Sequence, residues 1–150
     1  MRRISVILAA LIAAISVAGI AARAQTATSV WDGVYTDAQA MRGRAEFSAH
    51  CASCHGAALD GTGEAPALAG AQFLSDFNGL TVGALYDRIR TSMPQDNPTS
   101  LSRDQYADIL AFIFKSNAIP GGAQELDRRS EYLKAISFEA ANPHQGAPPH

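Results

Sequence analysis

The stretch His50-Cys51-Ala52-Ser53-Cys54-His55-Gly56 (HCASCHG) holds both cysteines of the 150-residue chain, with a histidine directly behind the second. Two thiols at this spacing suit a dithiol redox centre, half of a zinc site, a short disulfide or the attachment point of a prosthetic group. The neighbouring sequence decides among them. Upstream, Thr36-Asp37-Ala38-Gln39 has the spacing of a capping box, with Asp37 placed favourably at a helix N-terminus. Ala40, Gly43, Phe47 and Cys51 follow at three- and four-residue steps, which predicts a helix over about Asp37–His50 leading into the motif. Gly43 costs that helix about 1 kcal/mol relative to alanine. A second helix crossing closely there would explain it.

Downstream, Gly56 to Leu80 reads as a loop, with five glycines and Pro66 scattered among alanines. Thr81 to Thr91 reads as a short helix with Val82, Leu85, Tyr86 and Ile89 on its apolar face. It ends at Ser92-Met93-Pro94, because proline disfavours helical backbone in the residue before it. Ser102 and Gln105 form a capping box, flanked by Leu101 and Tyr106 at staple positions. The helix they open runs to about Asn117 and carries Tyr106, Ile109, Leu110 and Ile113 on one face, broadened by Phe112 and Phe114. Ile119-Pro120-Gly121-Gly122 stops it. A weaker helix is expected over about Asp127–Glu139, and Asn142–His150 reads as disordered. No strand pattern or internal repeat is evident. The fold class is all-α.

The N-terminus sets the compartment. Met1-Arg2-Arg3 is a short basic head, Ile4–Ala22 is almost wholly apolar, and Ala22-Arg23-Ala24 is a small-x-small cleavage site. That is the layout of a secretory signal peptide, with an uncleaved membrane anchor as the alternative. The expected divisions are a signal peptide (1–24), an N-terminal arm (25–35), a compact domain (36–122) and a C-terminal extension (123–150). Arg2, Arg3 and Arg23 leave with the leader and no acid does, so 9 basic residues face 14 acidic ones and the net charge moves from −2 to −5. A mildly acidic domain is a poor candidate for nucleic acid or for anionic membrane surfaces.

Three short helices joined by a glycine-rich loop of about 25 residues make a poor core by themselves. A large apolar prosthetic group would complete it. A thioredoxin-type dithiol needs a strand before the motif and a helix opening at the first cysteine, and neither is present. A zinc site lacks a second pair of ligands, and a disulfide would close too small a loop to stabilise much. Cys-x-x-Cys-His is the attachment signature for c-type haem, in which the cysteines bond the vinyl groups and the histidine ligates iron. Export agrees with this reading. One haem c per chain is expected, held by Cys51, Cys54 and His55.

The stretch from about Tyr35 to Asn117 resembles class I monohaem cytochromes c. The resemblance rests on Gly43-x-x-x-Phe47, Cys51-Ala52-Ser53-Cys54-His55, Ala65-Pro66-Ala67-Leu68, Ser92-Met93-Pro94 and the bulky final helix. It implies three core helices and long loops wrapped around one covalent haem. It also implies that the glycine of the first helix admits the last helix, that the backbone carbonyl of Pro66 accepts a hydrogen bond from His55, and that a methionine is the second axial ligand. Met93 suits that role, because Met41 lies on the helix entering the motif and is carried away from the iron. Val30–Thr36 and Met93–Pro98 look like bacterial cytochromes that accompany quinoprotein (PQQ) dehydrogenases. Phe77 stands where such a protein would carry a tryptophan able to reach a haem propionate.

The function implied is a periplasmic one-electron carrier with His55 and Met93 as axial ligands, and not an enzyme, although a subunit of a dehydrogenase complex fits as well. Its expected donor is a periplasmic dehydrogenase, and its acceptor an oxidase or another cytochrome. If Met93 does not ligate, the alternative is a haem subunit of an enzyme or a ligand-binding haem protein. Trp31 reads as an anchor for the N-terminal arm, Arg88 and Arg90 as solvated, and His50, His144 and His150 as surface residues.

Overall fold

The computed structural model describes residues 27–63 and 65–145. The leader assigned to residues 1–24 lies outside them, as do the last five residues of the tail. Among the described residues six helices follow one another: α1 (Asp37–His50), α2 (Ala52–His55), α3 (Ala71–Phe77), α4 (Val82–Ser92), α5 (Arg103–Ser116) and α6 (Ser130–Leu133), preceded by a 3-10 turn at Val30–Asp32. Among the described residues there is no strand, only isolated bridges such as Ser29 with Ser137. None of the described helices is long and apolar enough to cross a membrane.

The caps explain where the long helices begin. The Thr36 hydroxyl accepts from the Gln39 amide at the start of α1, and both halves of the Ser102–Gln105 box are formed at the start of α5. The box expected at Thr36 is only half made. The Gln39 side chain turns inward and pairs with the backbone of Leu126, accepting from its N–H at 2.7 Å and donating to its carbonyl at 3.1 Å.

α1 and α5 form the principal helix pair, and Gly43 is the reason they can. A Cβ at Gly43 would lie 1.7 Å from the Asp108 carbonyl oxygen, inside the backbone of α5. α5 buries nearly its whole length, from Tyr106 to Phe114. Its one buried carboxylate, Asp108, is held in a forked pair by Arg42 at 2.8 and 2.9 Å. Removing a charge from water is offset only by such close pairing.

Two stretches differ from the sequence reading. Residues 71–77 of the expected loop are helical (α3). Phe73 is buried there because Phe138, 65 positions along the chain, packs on it with ring centroids 6.1 Å apart. The helix expected over Asp127–Glu139 is only the four residues of α6, and Ile136–Phe138 beyond it is non-helical, with Ser137 in isolated bridges to Ser29 and Thr81. Its backbone is pinned on both sides, by Val30 N–H to the Ser137 carbonyl and by Val82 N–H to the Ile136 carbonyl. Leu126, Leu133, Ile136 and Phe138 belong to the main core, so residues 126–138 form a strap across the body. Trp31 anchors the N-terminal arm to that strap, donating from Nε1 to the Glu139 carbonyl at 2.8 Å.

Candidate haem site

α1 hands the chain directly to the Cys-x-x-Cys-His segment. Cys51 caps α1 by donating its N–H to Phe47, and its carbonyl then accepts from Cys54 and His55 to open α2. Both thiols and the imidazole therefore sit within one helical turn. The two cysteines are free thiols, Cys51 half-buried and Cys54 exposed. Burial, with a smaller contribution from the neighbouring Cys54, pushes the Cys51 thiol up to about 11. A thiol kept protonated is a poor nucleophile, the opposite of what a dithiol oxidoreductase needs.

His55 is buried, and its Nδ1 lies 2.8 Å from the carbonyl oxygen of Pro66. A carbonyl can only accept, so Nδ1 carries a proton, and in the neutral ring Nε2 carries the lone pair. Among the described residues Nε2 has no hydrogen-bond partner. An imidazole whose orientation and tautomer are fixed in this way is the usual state of a metal-ligating histidine.

The Pro66 loop is itself held tightly. Gly61, at φ +78°, donates its N–H to the His55 carbonyl and packs so closely on the loop that a Cβ there would lie 3.0 Å from the Pro66 carbonyl carbon. Thr62 and Ala65 exchange backbone hydrogen bonds before Pro66, and Leu68 and Ala69 both donate to the Leu59 carbonyl after it. Asn117 completes the arrangement from the end of α5, and sequence reasoning missed it. Its Nδ2 donates to the Leu68 carbonyl and its Oδ1 accepts from the Gly70 N–H, both at 2.9 Å. Asparagine after a helix is an ordinary cap residue, so its spacing offered no sign of this role.

Met93 caps the C-terminus of α4 and is half-buried. The Tyr106 hydroxyl, in the first turn of α5, donates to the Met93 carbonyl at 2.7 Å. α5 therefore holds the methionine segment near its start and the proline loop just past its end, about 16 Å apart along the helix. Met41 is 71% exposed on α1. Phe77 is half-buried against Phe73 and Phe138, with the exposed Arg88 guanidinium 5.8 Å from its ring centroid. Arg90 lies 3.9 Å from Asp87. His50 and His144 are exposed, and His144 lies 2.8 Å from an Asp32 carboxylate oxygen.

The donor set fits a c-type haem. Two free thiols and an oriented imidazole share one turn, and a methionine occupies a separately anchored segment. An all-helical domain with a glycine-mediated crossing of its first and last long helices, and this motif at the end of the first, defines a class I cytochrome c domain. The chain belongs to the family described as cytochrome C oxidase, cbb3-type, subunit III, which it matches over residues 38–113. Among solved structures it is similar to a chain of the sulfane dehydrogenase SoxCD from Paracoccus pantotrophus, with 26% identity and a TM-score of 0.51. That likeness covers 81% of this chain and 66% of the other, just under two thirds of its length. No curated protein matches the sequence.

Proposed function

We propose that the chain is an exported one-electron carrier, with a single haem c attached through Cys51 and Cys54 and ligated by His55 and Met93. The observation that carries this reading is the His55 Nδ1–Pro66 contact, which presents Nε2 as a free donor one residue beyond a pair of unpaired thiols. Bound haem supplies an iron that exchanges one electron at a time. The Pro66 carbonyl keeps the imidazole in one tautomer and makes it a more basic ligand. Tyr106 restrains the backbone that carries the Met93 thioether, a ligand that favours the reduced state. With histidine and methionine both engaged, no position remains for dioxygen or peroxide, which separates a carrier from a haem enzyme.

The likeness to a sulfane dehydrogenase chain covers more of this chain than the family match does. This supports a dehydrogenase as the electron donor, with this chain as its partner or subunit and an oxidase or another cytochrome as acceptor. Neither comparison names a quinoprotein. The motif spacing supports periplasmic residence, since covalent attachment of this kind takes place outside the bacterial cytoplasm, and Ala22-Arg23-Ala24 supports Gln25 as the mature N-terminus. Purification from the exported fraction tests these points together. The expected product is a soluble red protein whose intact mass includes one haem that acid–acetone does not extract. When reduced, it should not bind carbon monoxide rapidly. Extractable haem, or fast stoichiometric carbon monoxide binding, would contradict the reading.

A further inference from the structure

Asn117 is 7% exposed, and both amide N–H donors and the amide oxygen are engaged. It accepts from Gly70 and donates to Leu68 and to Ile113, each at 2.9 Å. Two of these bonds reach across to the segment that immediately follows Pro66. On the other side of Pro66 the Thr62–Ala65 turn and the close approach of Gly61 leave the backbone no room to move back. The Pro66 carbonyl is therefore clamped between a tight turn and an anchor supplied by the last long helix.

We propose that Asn117 is a positioning residue for the reduction potential: by holding Leu68 and Gly70 it sets the Pro66 carbonyl against the His55 Nδ1–H. This rests on the reading of His55 as an iron ligand. A planar amide suits the position, because one group must offer an acceptor to Gly70 and two donors to carbonyls. Aspartate lacks the donors and leucine lacks both. Burial keeps water from substituting for any of the three bonds. The partner of the distal ring nitrogen sets the basicity of a ligating histidine. Freeing the loop therefore lengthens the Nδ1–Pro66 bond, makes the imidazole a weaker donor and destabilises ferric iron relative to ferrous.

The direction of the effect separates this role from a merely structural one. Loss of packing admits water to the site and stabilises the more highly charged ferric form, which lowers the potential, whereas a weakened His55 hydrogen bond raises it. The test compares the purified holoprotein with Asn117→Leu, which keeps the branched outline of the side chain and deletes all three bonds. Asn117→Ser serves if the leucine variant does not fold. The expected result is an upward shift in potential, with exchange of the His55 Nδ1–H against solvent at least about tenfold faster by NMR. A potential that falls or does not move overturns the proposal, whatever the exchange rate. The unaltered ferric protein tests the underlying reading separately. An Nδ1–H resonance that shows no paramagnetic shift would refute ligation by His55 rather than the part played by Asn117.

Discussion

Replacing Gly43 with alanine should destabilise the protein, although alanine is the better helix former. The new methyl carbon would start 1.7 Å from the Asp108 carbonyl oxygen and 2.4 Å from its carbon. Ordinary contact begins near 3.4 Å, so α1 and α5 must part by about 1.7 Å at their crossing. Both obstructing atoms are backbone, and no rotamer change relieves them. Overpacking of this kind costs about 3 kcal/mol at the upper end of its usual range. The gain in helix propensity offsets about 1 kcal/mol, leaving a net loss of about 2 kcal/mol. In a domain of this size that lowers Tm by about 6–10 °C. Thermal and denaturant unfolding of the holoprotein would measure it, with Ala45→Gly on the exposed face of α1 as the control. That change should itself cost about 1 kcal/mol, so at neighbouring sites the same pair of residues is favoured in opposite orders. A Gly43→Ala protein as stable as the original would refute the close-crossing argument.

Phe138→Ala should cost about 3–5 kcal/mol, because the ring is fully buried among Phe73, Phe77 and Phe114. Unchanged denaturant unfolding would make the strap an appendage rather than part of the core. Backbone N–H donors from Ser29 and Thr28, helped by His144, hold the Asp32 carboxyl down to about 2, from 3.8. Its contribution to stability is therefore complete above about pH 4 and lost as the pH falls through about 2. Asp32→Asn should lose less stability than the original protein between pH 5 and pH 2, and equal losses would show that this carboxylate contributes nothing.

Much of the fold was legible because its signals are local. α1 runs over the residues its caps and apolar steps predict, α5 opens at its capping box, and Gly43 marks a crossing that is present. α3 was not legible. Its N-cap is Gly70, which offers no side chain to the helix, and its two phenylalanines are covered by a third that lies 61 and 65 positions away. The strap misled for a different reason. Leu126, Leu133 and Ile136 fit helical steps, but buried Ile136 and Phe138 flanking exposed Ser137 is the two-residue alternation of extended chain. At the site, the motif and the proline loop could be read from the sequence. The tethers from Asn117 and Tyr106 could not, because each depends on where α5 lies against loops that precede it.

The central claim is that Met93 and His55 close the iron to outside ligands, and Met93→Ala tests it most directly. The variant should keep its covalent haem, because Cys51 and Cys54 lie on a different segment. It should lose the far-red absorption that reports a sulfur–iron bond in the ferric state, show a lower potential and bind carbon monoxide when reduced. Met41→Ala should change none of these. A Met93→Ala protein that retained the sulfur–iron band, or that excluded carbon monoxide as the original does, would contradict the account.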